Sequence, residues 1–314
     1  KSNFSGVDVI VAGPPCQGFS VAGPSQYGII DGRNYLIFEV LRFVNALTPR
    51  MFIVENVKGL LSGKLSNEKR AFKEFIDQVE DSGYKTKHFI LQAANFGVPQ
   101  WRERVFIFGA LDKGELPTSF PAAFGTKRSP WRTVNDIISD LPFVDSGTGS
   151  DGLTPYASQA QNEYQHWLQE NSDGIYNHIS MKHTARLIAR FKSIPIGGSL
   201  VDAPAEHGQR LRNGTGLDVR KRFKMNNQRL DPAKISTAIT ASFQSNFIHP
   251  FLNRNLTARE GARLQSFPDR FIFKGPRTLM SKSLLKREGR EDEIGLSQYN
   301  QIGNAVPPLI AKAI

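Results

Sequence analysis

With 314 residues, 39% hydrophobic and 10% aromatic, the chain is long enough for two domains with substantial cores. Its one cysteine, Cys16, rules out an intramolecular disulfide, and the six histidines show no spacing to cysteine or carboxylate that suits zinc, so no metal is expected. Forty lysines and arginines against 29 acids give a net charge of +11, which points to polyanions, and no apolar run nears the roughly 18 residues of a membrane span, so a cytoplasmic protein is expected.

Val7 to Gly13 (VDVIVAG) predicts a strand, stopped abruptly by Pro14-Pro15-Cys16-Gln17-Gly18. A double proline before the thiol and an amide after it argue against the buried fate usual for free cysteine. They put Cys16 at a strand's carboxyl end, where open α/β sheets present reactive groups. Asn34 to Leu47 predicts a helix with Leu36, Val40, Phe43, Val44 and Leu47 on one face, ended by Pro49. Met51 to Val57 predicts a strand, about Asn67 to Ser82 a helix, and Tyr84 to Gln92 and Arg104 to Gly109 two further strands around the loop Ala94 to Pro99. Strands alternating with helices predict an α/β fold with a mainly parallel sheet covered on both faces. The first strand begins within the first ten residues, leaving no room for an earlier glycine-rich βα turn, so the N-terminal part of the sheet is expected to be missing.

From about Asp145 to Asn255 the pattern breaks into short segments rich in Gly, Asn, Gln and Ser, with one helix near Lys182 to Lys192. This predicts a second, smaller, loop-rich domain. Helical order returns at Leu256 to Ser266, where Thr257 and Glu260 predict a capping box. The basic residues cluster at Arg102/Arg104, Arg210/Arg212, Arg220 to Lys224 and Lys282 to Arg290, as expected for a surface that neutralises phosphates.

Four strings stand out in chain order: Pro14-Pro15-Cys16-Gln17-Gly18-Phe19-Ser20, Glu55-Asn56-Val57, Gln100-Trp101-Arg102-Glu103-Arg104 and Gly303-Asn304-Ala305-Val306-Pro307-Pro308. A fifth, Arg259-Glu260 with Arg263 to Asp269, lies before the last. Together they resemble the cytosine-5 DNA methyltransferases of the bacterial modification type, over essentially the whole chain. The resemblance implies a Rossmann-like methyltransferase domain at 1–144, a target recognition domain at 145–276, and a hinge and C-terminal segment at 277–314 returning to the first. It implies S-adenosylmethionine as methyl donor, double-stranded DNA as partner, and a target base flipped out of the duplex.

In that family a thiolate attacks carbon 6 of cytosine, and Cys16 matches it. Glu55 matches the acid that serves ring nitrogen 3, and Arg104 the arginine that holds the ring carbonyl. Arg102 would meet phosphate or the catalytic loop, while Gln100 suits a structural role. The loop from Gly18 to Arg33, with glycines at 18, 23, 28 and 32, is suited to closing on DNA through Gln17, Ser20 and Arg33. Pro15, Leu36, Asn304 and Ala305 match donor contacts, and Arg210, Arg212, Arg220 and Arg222 are candidates to read guanine. The chain departs from the family in lacking the glycine-rich donor motif and the acid that holds the ribose. A longer polypeptide or a partner subunit carrying that half is implied. Gly261 stands where many relatives have Cys, and a charged stretch from about Lys274 to Gly295 looks inserted. A transfer-RNA cytosine methyltransferase and a subunit inactive alone are the alternatives; the long variable region and Gly18-Phe19-Ser20 favour DNA.

Overall fold

The computed structural model describes residues 6–15, 35–65, 69–111, 114–208, 216, 226–278, 282–291 and 297–314. The chain forms two compact units, one of Lys1–Ala93 with Arg102–Ala122, the other of Ala94–Trp101 with Ala123–Ile314.

The first unit is built on a four-stranded sheet. In chain order its elements are Val9–Ala12 (β1), Ile37–Leu47 (α1), Met51–Val57 (β2), Ala71–Asp81 (α2) and Tyr84–Gln92 (β3); Gln100–Trp101 (β4) belongs to the other unit, and Glu103–Leu111 (β5) completes the sheet. The strand order is β1-β2-β5-β3, with β1 parallel to β2 and β5 antiparallel to both its neighbours. The sheet is thus mixed where a mainly parallel one is expected. Only residues 93–102 join β3 to β5, too few for the crossover of a dozen or more that parallel pairing needs, so β5 returns antiparallel and slots between β2 and β3.

Alternation along β2 decides what each face carries. Phe52, Val54 and Asn56 are buried, and Phe52 and Val54 pack with Ile37, Val40, Leu41 and Val44 of α1 and Ala71, Phe75 and Val79 of α2. These helices form because their apolar residues recur at helical spacing, and α1 ends where Thr48 turns left-handed before Pro49. On the opposite face Phe120 stacks on Phe108 at 5.5 Å and meets Phe89 edge-on at 5.0 Å. That face is open at β1, the sheet's edge strand, where Val9 and Val11 are exposed.

The second unit has no comparable sheet among its described residues. Its strands are two-residue pairs: β4 with Ser236–Thr237 (β9), Gly149–Ser150 (β6) with His178–Ile179 (β7), and Gln228–Arg229 (β8) with Phe247–Ile248 (β10). Its helices are short: Asn135–Ile138 (α3), Glu163–Gln169 (α4), Ala185–Ser193 (α5), Phe243–Asn246 (α6), Ala258–Leu264 (α7), Lys282–Arg287 (α8), Gln298–Asn304 (α9) and Pro308–Ala313 (α10). Ile137, Tyr164, Leu168, Phe243, Ala262, Tyr299 and Ile302 share one core. The predicted capping box on α7 is present: the Glu260 amide donates to Thr257 Oγ1 at 3.2 Å, and the Thr257 amide to Glu260 Oε2 at 2.8 Å.

Every residue of α7 is buried, including Arg259, Glu260 and Arg263. Arg263 bridges Asp140 at 2.5 Å and Asp269 at 2.6 Å, while Arg254 grips Glu260 with two nitrogens at 2.8 and 2.9 Å. These ions replace the sheet ladder as the fixed scaffold of this unit. Such pairs add little net stability over apolar residues, but removing one partner strands the other in a place without water. Gly261 faces the Phe243 ring, which a Cβ would meet at 2.1 Å, so this position packs helix backbone directly on an aromatic ring. Of the charged stretch expected as an insertion, residues 282–287 form α8.

Candidate active site

The reactive end of the first sheet is organised by strand register. Glu55 on β2 lies opposite Phe106 on β5, and Arg104 lies opposite Val57, two residues along the same face. Diagonal neighbours of this kind are within reach of long side chains, and Arg104 Nε meets Glu55 Oε1 at 3.0 Å. Both are largely buried, at 16% and 14% exposed. Burial drives the Glu55 carboxyl above its ordinary 4.5, and the charges of Arg104 and Arg102 offset that only in part. Glu55 is therefore a carboxyl that can hold a proton while facing an arginine.

Glu103 and Lys58 form an exposed ion pair at 3.1 Å, and a second Arg104 nitrogen donates to the Glu103 carbonyl at 2.8 Å, which fixes the guanidinium. Arg102 is buried, at 2% exposed, and its backbone amide donates to Gln92 Oε1 at 2.7 Å. Its charge thus acts on Glu55 from the interior and is not displayed to solvent.

The turn that leads to Cys16 runs beside this pair. A Cβ on Gly13 would lie 3.8 Å from Glu55 Oε2, and Asn56 Nδ2 donates to the Pro14 carbonyl at 3.4 Å. Asn56 is 1% exposed, and its Oδ1 also accepts from the Val57 amide at 2.9 Å. Sequence reasoning assigned it no role, although an amide inside an apolar strand signals a buried hydrogen-bonding task. Cys16, with Gln17, Ser20 and Arg33, lies outside the described residues, as do Arg210, Arg212, Arg220 and Arg222.

Of the donor contacts, Pro15 and Leu36 are exposed on the first unit, and Asn304 is exposed and Ala305 half-buried on the second. Gln100 is fully buried in the second unit. Its Nε2 donates to the Leu264 carbonyl at 3.2 Å and to Gln265 Oε1 at 3.0 Å, and its Oε1 accepts from the Ile239 amide at 2.9 Å. Its role is structural. Among the described residues no group of three or more His, Cys, Asp or Glu could hold a metal ion, and no helix is long and apolar enough to cross a membrane.

A sequence model of the family described as C-5 cytosine-specific DNA methylase matches residues 1–314. The chain belongs to that family. Similar proteins include the type II methyltransferase M.DdeI of Desulfomicrobium norvegicum, 42% identical over 317 residues that cover 100% of this chain and 73% of that protein. Type II methyltransferase M1.HphI of Haemophilus parahaemolyticus is 35% identical over 99% of this chain and 68% of its own length. Among solved structures, a DNA modification methyltransferase encoded within an E. coli prophage matches with a TM-score of 0.65 and 23% identity, over 98% of this chain and 77% of that one. That likeness is one of fold. The methylase is accordingly a DNA cytosine-5 methyltransferase.

Proposed function

We propose that the methylase transfers a methyl group to carbon 5 of a cytosine flipped out of a specific duplex site, through a covalent adduct of Cys16 at carbon 6. Carbon 5 is too poor a nucleophile to be methylated unaided. Addition of the Cys16 thiolate to carbon 6 moves the 5,6 electron pair into the ring, and Glu55 gives a proton or strong hydrogen bond to ring nitrogen 3 as it does so. Arg104 holds the ring carbonyl oxygen, and Arg102 contributes positive charge from behind. S-adenosylmethionine, when bound, supplies an electrophilic methyl group. Pro15, Leu36, Asn304 and Ala305 would hold it, and the exposure of the first three leaves them accessible. A water molecule then takes the proton on carbon 5, which restores the double bond as the thiolate leaves, and nitrogen 3 returns its proton to Glu55. A free thiol of pKa about 8.5 is mostly protonated at neutral pH, so a cationic setting would favour the attacking form.

The observation that carries this reading is the Glu55–Arg104 pair with its raised carboxyl pKa, beside the tethered Gly13–Pro14 turn. Residues 145–276 are proposed to recognise the target, with Arg210, Arg212, Arg220 and Arg222 as candidates to read guanine and Gln17, Ser20 and Arg33 contacting DNA from the closing loop. Identity to type II methyltransferases supports a modification enzyme acting on DNA in a bacterial cytoplasm over one acting on transfer RNA. Exposed Val9 and Val11 at the sheet edge support packing of a further segment or partner subunit that completes the donor pocket. By itself the chain should then bind S-adenosylmethionine weakly; tight binding by calorimetry would remove this part.

The adduct is tested by mass spectrometry on DNA carrying 5-fluorocytosine at the target, where the final elimination is blocked. The wild-type chain, with any partner it needs, should be trapped on the DNA and Cys16→Ala should not. Unchanged methylation by Cys16→Ala would end the mechanism.

A further inference from the structure

The second unit carries an exposed aromatic pair that the catalytic chemistry does not use. Trp101 and Trp131 are 47% and 38% exposed, with ring centroids 5.0 Å apart in an edge-on arrangement. Trp131 is held by its neighbours, and Trp101 stands on a paired strand. Trp101 sits on β4 in register with Thr237 of β9, so the two side chains share one exposed face, and Thr237 Oγ1 donates to Gln228 Oε1 at 3.0 Å. Trp131 Nε1 donates to Asn95 Oδ1 at 3.3 Å. Gly125, at a positive φ of 96°, approaches the indole so closely that a Cβ there would lie 2.5 Å from Nε1.

That glycine opens a tight turn. Its amide donates to the Ser129 carbonyl at 2.8 Å, the Thr126 amide to the same oxygen at 3.1 Å, and the Ser129 amide to Thr126 Oγ1 at 3.1 Å. At the tip Lys127 and Arg128 are both exposed. The neighbouring Arg132 is committed to the interior, donating to the Gly97 carbonyl at 2.7 Å and lying over the Phe124 and Tyr164 rings. The patch is therefore two preorganised indoles beside two displayed cations, on a chain of net charge +11.

Exposed tryptophans of this kind lose contact with water favourably against flat, partly apolar surfaces, and adjacent cations select an anionic one. Duplex DNA offers both, as deoxyribose faces flanked by phosphates. We propose that Trp101 and Trp131, with Lys127 and Arg128, form a sequence-independent contact to the duplex flanking the target cytosine: the indoles pack on deoxyribose faces along the backbone, and the cations meet phosphates. This rests on DNA being the substrate, and assigns to that substrate a contact area separate from the residues proposed to read bases or perform the chemistry.

The test uses the active methylase and target duplexes with short or long flanks. Trp101→Ala and Trp131→Ala are expected to raise the KM for long-flank DNA about tenfold with kcat within about twofold, while Trp101→Phe retains most of the affinity. Lys127→Gln with Arg128→Gln should lower the slope of log affinity against log salt by roughly 1 to 2. Long-flank duplex should also quench the tryptophan emission of the wild-type protein, and Trp131→Phe should reduce that quenching. The glutamine pair alters only exposed side chains, so its result stands if an alanine variant fails to fold. Unchanged KM, salt slope and quenching would overturn the contact while trapping on 5-fluorocytosine DNA still succeeds; failed trapping would instead count against the mechanism. Loss of a dimer in sedimentation, with DNA affinity intact, would assign the patch to a second copy of the chain and also overturn the proposal.

Discussion

Glu55 in the first unit and Glu260 in the second are both enclosed carboxylates facing arginine, and their environments drive them in opposite directions. Burial raises Glu55, and one contact from Arg104 with the charge of Arg102 does not compensate. Burial also acts to raise Glu260, but the charge of Arg254, its hydrogen bonds and nearby His249 and His178 hold it well below the carboxylate range. Counting donors around each carboxylate separates a group left ready to exchange a proton from one locked in its charged form. The first is the group proposed for chemistry, and the second holds the architecture.

Several substitutions can break this contrast. Glu55→Gln should have the largest effect, lowering kcat about 10² to 10⁴-fold with little change in unfolding free energy, as measured by single-turnover kinetics beside urea titration. An equally large loss of stability would show Glu55 to be architectural. Arg254→Ala should do the reverse and destabilise the second unit by about 3–5 kcal/mol in urea titration, because Glu260 remains buried without its partner. The pH dependences should also diverge. A raised carboxyl contributes stability that is fully present below its ordinary 4.5 and is lost as pH rises through the folded value, and turnover needing the protonated form should decline over the same rise. Glu260 contributes above 4.5 and loses that contribution as pH falls toward its depressed value, so acid should unfold the second unit early, followed by circular dichroism. Gly261→Ala should cost about 1–3 kcal/mol by forcing a methyl into the Phe243 ring. The exposed Glu39–Arg42 pair should matter least, with Glu39→Ala changing stability by less than about 0.5 kcal/mol.

Local pattern was enough for much of the first unit. The strand at Met51–Val57, the helix α1 and, in the second unit, the Thr257–Glu260 capping box depend on residues a few positions apart, and each is present, although α1 buries Ile37, Val40, Leu41 and Val44 and exposes Leu36 and Phe43 of the expected face. The family was equally legible, since its motifs are short strings whose order survives changes elsewhere. The direction of β5 and its insertion between β2 and β3 were not, because pairing order depends on how chain connections close in space. Nor was the fate of the arginines. Arg263 stands out in the sequence only as part of a motif, yet it is buried against Asp140, 123 residues away in sequence. Gln100, expected in a structural role, bonds to Gln265 and Leu264 in the interior, partners that lie 165 and 164 residues away in sequence.

The sequence by itself determined the family and the strands at Val9–Ala12 and Met51–Val57, because these are carried by local periodicity and short motifs. Only the tertiary structure decided that Glu55 meets Arg104 across a register two residues offset, that Asn56 tethers the Cys16 turn, and which charges are displayed or buried. Those facts depend on desolvation and on contacts between distant segments, which no local pattern of residues encodes.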